Sequence, residues 1–354
     1  MIVTDVALRS FRSYERLRLE LRPGLVLAVG PNGAGKTNLL ESLHVGTQGF
    51  SPRTRTDAHL VRFGDAAARV AIKGRRGDVP LEVEVTLRPG AGKRATLNGA
   101  PLRTAEQLRG EAATLVFTPD RLGVVKGAPA ARRAYVDRVL GRLLPARASL
   151  PADYGAAVAQ RNAALRRAAG GFSSRDAIAP WTEQVADLGA ALAAARVEAL
   201  ELLQPAFAER AGELGLPDAA LRYDGEPVAR AALEGRLERD LERGITSLGP
   251  HLDDVALLSG PRELRSFGSQ GEQRLSLLAL LLAEAETLAA RRGAPPLLLL
   301  DDVLSELDPG RRRILAERVA GVGQTLVTAT DAAMLPGEPD QLLHVSPGLV
   351  EAES

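Results

Sequence analysis

Hydrophobic residues along this chain follow two rhythms. Over the first 118 residues they recur mostly at every second position: residues 2–8, 17–21, 69–73 and 81–87 alternate apolar with polar, as half-buried strands do. Residues 25–29 and 113–117 are short apolar runs that predict buried strands, and Asn98-Gly99 predicts a hairpin turn. Between them, a helix is predicted over 36–45. From about residue 129 the spacing turns helical, predicting helices over 130–144, 152–169, 176–214 and 228–243, with Gly170-Gly171, Pro205, Gly215 and Pro217 as breaks. A further helix over 275–290 precedes a return to strand–helix–strand patterning at 297–300, 309–320 and 325–328. At 354 residues the chain is too long for one ordinary domain. The pattern predicts an α/β fold in two lobes: residues 1–118 with 294–354 form a lobe of mixed sheets, and 119–293 a mainly helical one.

Composition narrows the classes. The chain is 45% hydrophobic, enough for a sizeable core, yet no run of 18 apolar residues would span a membrane. The start, MIVTDVALRSFRSY, places Asp5 and alternating polarity where a secretion signal needs an apolar block. The absence of cysteine excludes disulfides and thiol chemistry and fits a reducing cytoplasm. A net charge of +1 says little about nucleic acid. Basic residues are nearly all arginine, with lysine only at Lys36, Lys73, Lys93 and Lys126. Against that bias Lys36 stands out, because it occupies a position where arginine should fail.

Gly30-Pro31-Asn32-Gly33-Ala34-Gly35-Lys36-Thr37 matches the Walker A pattern, after the predicted strand 25–29 and opening the predicted helix. The positions explain the chemistry. Gly33 and Gly35 let backbone N–H groups wrap phosphates without Cβ obstruction, and the helix N-terminus adds partial positive charge. Lys36 is a compact charge for β- and γ-phosphate, where a planar guanidinium fits poorly. Thr37 offers a hydroxyl to Mg²⁺. ATP and Mg²⁺ are therefore the expected ligands, with Gly30, Asn32, Gly33, Ala34, Gly35, Lys36, Thr37 and Asn38 around the nucleotide.

The apolar run 296–300 ends in Asp301 and Asp302. Ligands of parallel sheets gather at the strands' carboxyl ends, so Asp301 is expected to serve Mg²⁺ and Asp302 to orient or deprotonate attacking water. Asp308 before Pro309 is a good helix N-cap, and its context Ser305-Glu306-Leu307-Asp308 also admits a functional role. Thr330 fits either a switch position after the last core strand or a plain cap.

Ser269-Gln270-Gly271-Glu272 opens the predicted helix 275–290. Alone it reads as a capping box, with Ser269 three residues before Glu272. About thirty residues before the Asp301 strand, however, an exposed Ser-x-Gly at a helix start resembles the signature motif of ABC-type ATPase heads. In that superfamily the signature of one subunit faces the nucleotide of another. The resemblance implies that Ser269, Gln270, Gly271 and Glu272 act in trans on a partner's γ-phosphate, and that Asp308 lies in a D-loop.

Within that superfamily the chain is most similar to the RecF family, over nearly its whole length. The residues that carry this are Phe11-Arg12-Ser13-Tyr14, residues 30–38, Lys126-Gly127-Ala128-Pro129 with Ala130-Ala131-Arg132-Arg133, Gly249-Pro250-His251, residues 267–274 and residues 301–308. Leu252 departs from the basic residue expected after Gly-Pro-His. The resemblance implies an ABC-ATPase head-like P-loop lobe without coiled coil. It also implies Arg12 and Arg53 near the nucleotide, an ATP-dependent homodimer, and binding to DNA at gaps or single-strand/duplex junctions. Slow DNA-stimulated ATP hydrolysis, RecO- and RecR-like partners, RecA loading and a cytoplasmic setting follow from the same likeness. Rival readings are an SMC-type ATPase, a transporter subunit, and a DNA clamp whose hydrolysis only resets it. The first needs hundreds of heptad residues between Walker A and signature; the second would show histidine near 330. For DNA, Arg132, Arg133, Arg161, Arg166 and Arg167 on helices, and Lys73, Arg75, Arg76, Lys93 and Arg94 near hairpin tips, are the candidates, with Arg132, Arg133, Arg75 and Arg76 foremost.

Overall fold

A computed structural model describes residues 1–103, 105–320 and 323–353. From the N-terminus, β1 (Ile2–Phe11), β2 (Tyr14–Glu20) and β3 (Gly24–Val29) lead into α1 (Lys36–Gln48). There follow β4 (Ala68–Arg76), β5 (Val79–Arg88), β6 (Gly92–Leu97), β7 (Ala100–Pro101), α2 (Ala105–Glu111) and β8 (Thr114–Phe117). The middle of the chain forms α3 (Gly123–Lys126), α4 (Pro129–Leu143), α5 (Leu150–Ala169), α6 (Ala179–Glu213), β9 (Ala219–Asp224), α7 (Arg230–Glu234) and α8 (Leu237–Arg243). After β10 (Asp254–Ser259), β11 (Arg262–Glu263) and α9 (Leu264–Phe267) comes α10 (Gln270–Arg292). The chain ends with β12 (Leu297–Leu300), α11 (Pro309–Ala320), β13 (Gln324–Ala329), β14 (Gln341–Ser346) and β15 (Leu349–Ala352).

Two compact units result, Met1–Arg121 with Leu278–Ser354, and Leu122–Leu277. The first holds two sheets. One, ordered β2-β1-β4-β5-β6-β7, is antiparallel throughout. The other, ordered β15-β14-β3-β13-β12-β8, is parallel except for β15. Parallel strands covered on both faces must be apolar throughout, and Leu297–Leu300 and residues 25–29 are buried at every position. In β1 a register shift between Val3 and Asp5 turns Val3 and Val6 to the same side although they are three apart. The helix α1 touches β4 and β5 of one sheet and β8 and β13 of the other, and from Leu39 to Gln48 it is buried all round. Such a helix shows no apolar stripe, which is why its sequence carries little amphipathic signal.

Two buried glutamines join the sheets through backbone. The Gln324 amide accepts from Val3 N–H at 2.7 Å and donates to Val3 O and Arg22 O, both at 2.8 Å. Gln341 accepts from Arg22 N–H at 2.9 Å and donates to Glu20 O at 2.9 Å.

The second unit has its own apolar clusters, one around Leu140, Val185, Leu192 and Leu233, another around Leu165, Ile178 and Leu241. Three of its features depart from the periodicity. Pro205 does not break the helix: α6 runs through it, because a proline removes one backbone bond while buried Leu203 and Phe207 anchor both sides and Gln204 ties the helix to Ala219 and Leu221 of β9. The predicted helix 228–243 is two short helices parted at Gly235. Residues 219–224 and 254–259 are paired strands, too short and irregular in pattern to register as such. The division between units also falls within α10, at Leu278, not at the predicted 293/294, since the helix continues without Gly or Pro and Leu278 to Ala283 are buried. Among the described residues no helix is long and apolar enough to cross a membrane.

Replacing Gln324 by Ala would orphan two carbonyls and one N–H in a buried place. The expected cost is about 2–4 kcal/mol, seen as a lower urea midpoint at unchanged m. A loss below about 1 kcal/mol would show that the joint does not rest on this amide.

Candidate nucleotide site

The parallel sheet sets out the site. In its order β13 lies between β3, which leads into the Walker A loop, and β12, which ends at the paired acids. The carboxyl ends of these three strands and the start of α1 enclose a cavity of about 290 Å³, lined by Asn32, Gly33, Gly35, Lys36, Thr37, Asn38, Arg53, Asp301, Asp302 and Thr328.

The loop is held open by its own bonds. Gly35 has φ +114°, and a Cβ there would sit 3.0 Å from the Tyr14 hydroxyl, which donates to Gly35 O at 3.0 Å. Gly33, at φ +82°, faces open space. No side chain caps the N-terminus of α1 and no acid lies in its first turn, so its backbone donors remain available to an anion. Lys36, mostly buried, donates to Gly30 O at 2.6 Å and Pro31 O at 3.0 Å. Burial lowers its pKa, with Asp302 and Asp301 acting the other way.

Across the cavity Asp301 is 7% exposed and its Oδ1 accepts from the Thr37 hydroxyl at 3.1 Å and the Thr328 hydroxyl at 2.8 Å. Burial raises its pKa, more than the two hydroxyls and Arg53 lower it. Asp302 adopts the left-handed backbone, φ +50°, which is costly for a residue with a side chain. Its N–H donates to Thr328 Oγ1 at 2.9 Å, while its Oδ1 is buried with no hydrogen-bond partner among the described residues. A hydroxyl, a carboxylate and an orphaned carboxylate oxygen facing a cationic loop form a donor set that fits Mg²⁺ carried by a polyphosphate. Among the described residues no cluster of three or more His, Asp or Glu would hold a metal by itself.

Beneath the loop, Glu41 of α1 is fully buried and receives Arg12 through two bonds of 2.8 and 2.9 Å, the Ser51 hydroxyl at 2.5 Å and Arg53 at 3.8 Å. Asn38 donates to the Ser13 hydroxyl at 2.9 Å. The β1–β2 hairpin tip is thus bound to the start of α1 by three consecutive residues, 12 to 14. Periodicity missed Glu41, since one acid in a helix carries no signal of burial. It also missed Thr328, whose hydroxyl bridges both acids from inside a strand that is buried at every position. Thr330, one residue past β13, is exposed, donates to the Met334 sulfur at 3.4 Å, and is not among the residues lining the cavity.

Ser269 to Glu272 lie in the second unit, the first three exposed and Glu272 half-buried, with a mutual cap: Ser269 N–H donates to Glu272 at 2.8 Å and Glu272 N–H to Ser269 Oγ at 3.2 Å. The Ser269 bonds and Arg262 hold the Glu272 pKa down. Gly271 has open space on its Cβ side, the nearest atom being Ser269 Oγ at 3.9 Å. Asp308 caps α11, accepting from Arg311 N–H at 3.0 Å and its guanidinium at 2.9 Å.

The helical arginines do not form the exposed set that the sequence led us to expect. Arg132 is 2% exposed, bonded twice to Asp254 at 2.6 Å and to the carbonyls of Val125 and Gly127. It is a buried strut, out of reach of any phosphate, because its helix face packs against β10. Arg133 donates to Asp253 O at 2.5 Å, and Arg161 is fully buried against Asp240. The Gly249-Pro250-His251 segment is structural in the same sense: Arg196 holds Pro250 O at 2.7 Å and His251 bonds Tyr154 at 2.7 Å. Arg75 and Arg76 do stay exposed, the latter paired with Glu111.

Residues 2–348 match the family model described as the RecF/RecN/SMC N-terminal domain. The DNA replication and repair protein RecF of Frankia alni is 38% identical over 362 aligned positions, covering 96% of each chain. The chain belongs to the RecF family. A structure of the recombination mediator RecF of the RecFOR pathway with ATP superposes with a TM-score of 0.89 at 26% identity, covering 99% of this chain and 97% of that one. The Smc head domain of Pyrococcus furiosus gives 0.60 at 16% identity, a likeness of fold alone that covers 99% of this chain and 95% of that one. RecF membership and the head-like fold thus agree with the motifs, and the α/β architecture carries a Walker A loop, paired acids and a capped Ser-x-Gly helix start in one chain.

Because burial raises the Asp301 pKa, the folded state holds its proton more tightly than the unfolded state. Stability from this group is present at low pH and is lost as pH rises through the raised pKa. Asp301→Asn should therefore raise the Tm of the nucleotide-free chain at neutral pH and flatten its dependence above pH 4. A Tm that falls at neutral pH would refute this.

Proposed function

We propose that the chain is a DNA-binding ATPase of recombinational repair that closes into a homodimer around ATP. It binds DNA at gaps or single-strand/duplex junctions, hydrolyses ATP slowly with stimulation by DNA, and works with RecO- and RecR-like proteins in loading RecA. What carries this reading is the exposed, self-capped start of α10: Ser269 and Gly271 leave a helix N-terminus open on the surface in a family whose solved relative holds ATP.

Each residue then has a task. The uncapped start of α1 and Lys36 bind the triphosphate, and Arg12 and Arg53, held by Glu41, keep the neighbouring wall positive. Thr37 and Asp301 would hold Mg²⁺, which when bound neutralises charge on the transferring phosphoryl group. Asp302 orients the attacking water and takes its proton at Oδ1 as the water oxygen bonds to the γ-phosphorus and the bridging oxygen leaves with ADP. Thr328 fixes both acids; Thr330 is a switch position. Ser269, Gln270, Gly271 and Glu272 present one more positive helix end to the γ-phosphate held by the other copy, and Asp308 lies where the two copies meet. Arg75 and Arg76 remain DNA contacts.

Sedimentation with and without ATP and Mg²⁺ tests this. The wild type should shift to a dimer with ATP or a non-hydrolysable analogue. Lys36→Met, losing a charged hydrogen bond to phosphate, should weaken ATP binding about 10- to 100-fold. Ser269→Arg should bind ATP normally yet stay monomeric. A wild type that remains monomeric when saturated with analogue and Mg²⁺ would falsify the proposal. In Thr328→Val the fold should persist while turnover falls at least tenfold, measured by phosphate release; unchanged turnover would remove Thr328 from the site.

A further inference from the structure

The outer face of the antiparallel sheet carries a charge pattern that its folding does not require. At one level across the strands, Arg16 of β2 stands opposite Arg9 of β1, and Arg9 opposite Arg69 of β4. Arg69 faces Thr86 of β5, which faces Arg94 of β6. Directly opposed residues of an antiparallel pair share a face with Cβ atoms about 5 Å apart, and like charges so placed repel. Only Arg69 of the four has an acid, Glu84. Among the described residues Arg9, Arg16 and Arg94 have no ion-pair partner, nor does Arg18 one level along.

At that next level Arg18 faces Ala7, and Ala7 faces Ala71. Two small residues in the middle of a sheet hollow the face: the depression holds about 400 Å³ and is walled by Arg9, Arg16, Arg18 and Arg69. Of the acids of this face, Glu84 stands at this level opposite Ala71 and pairs with Arg69, while Asp5, Glu20 and Glu82 lie a further level away with Lys73 among them, so the arginine row keeps an excess of positive charge. From β2 to β6 the arginine row crosses four strand spacings, about 19 Å, roughly half the ~34 Å repeat of a DNA duplex.

Three guanidiniums without an acid among the described residues, Arg9, Arg16 and Arg94, in one row with the Glu84-paired Arg69 call for an external anion that is itself extended and regularly charged. The outward positions of β1, β2 and β4 carry no aromatic side chain on which unpaired bases could stack, and a single large apolar one, half-buried Ile2 opposite Arg75, is too little to enter a bilayer. We propose that this face holds the phosphate backbone of duplex DNA, with Arg9, Arg16, Arg69 and Arg94 as the phosphate row and Arg18 on its flank. The proposal rests on the DNA-binding reading above and adds a sheet surface in place of Arg132 and Arg133. Contacts of this kind follow the backbone and read no base.

The test is binding of a fluorescent duplex by the ATP- and Mg²⁺-loaded protein between 50 and 200 mM salt. In Arg9→Gln/Arg16→Gln the slope of log affinity against log salt should fall by about 2, at about 0.9 per lost phosphate contact, and affinity at the lower salt should drop at least tenfold. Its Tm should hold or rise, because a like-charge pair has been removed, and its ATP-driven sedimentation shift should be unchanged. Arg94→Gln, near the sheet edge, is the independent variant and should lower the slope by about 1. If the wild type binds duplex and both variants keep its slope, the surface is wrong although DNA binding stands. If the wild type itself fails to bind duplex, the functional reading falls first. Preferential binding to anionic phospholipid vesicles over duplex would also overturn the proposal.

Discussion

Two strands of one parallel sheet end in opposite charge, and a third strand keeps those ends apart. Where β3 stops, the chain turns into α1 with uncapped backbone donors and a lysine; where β12 stops, it presents two adjacent carboxylates. The site depends on holding these groups close without letting them neutralise one another. Lys36 is turned onto the carbonyls of its own loop, Asp301 is desolvated, and Asp302 keeps a buried oxygen without a partner among the described residues. The fold thereby keeps an electrostatic debt that a polyphosphate with a divalent cation is suited to relieve, as functional sites commonly do at some expense of stability.

Much of this was legible in the residues themselves. Walker A is a local motif, and its strand-before, helix-after context follows from residues 25–29 and 36–45 without any tertiary information. The acids after four leucines are equally local. What could not be read was anything that depends on strand order. Thr328 serves the site because β13 is inserted between β3 and β12, and nothing within β13 announces that. Glu41 matters because Arg12 arrives from a hairpin 29 positions earlier. Pro205 misled in the other direction, since a local rule about breaking helices was outweighed by packing on both sides of it.

Arginine shows the same limit most sharply. In a chain where almost every basic residue is arginine, sequence alone cannot tell a strut from a contact. Arg132, Arg161 and Arg196 each neutralise an aspartate inside the second unit. Arg9 and Arg16 differ from them only through register, which sets cation opposite cation on an open face. A clustering by position along the chain favours the first group; pairing across strands singles out the second.

The glutamine joint between the sheets of the first unit has an evolutionary consequence. Gln324 and Gln341 grip main-chain atoms of residues 3, 20 and 22, and such atoms are the same whatever side chain is attached. Mutations along β1 and β2 can therefore reshape the solvent face without loosening the attachment of that sheet to the nucleotide core. Surface chemistry is free to diversify between relatives as long as two amides stay where they are.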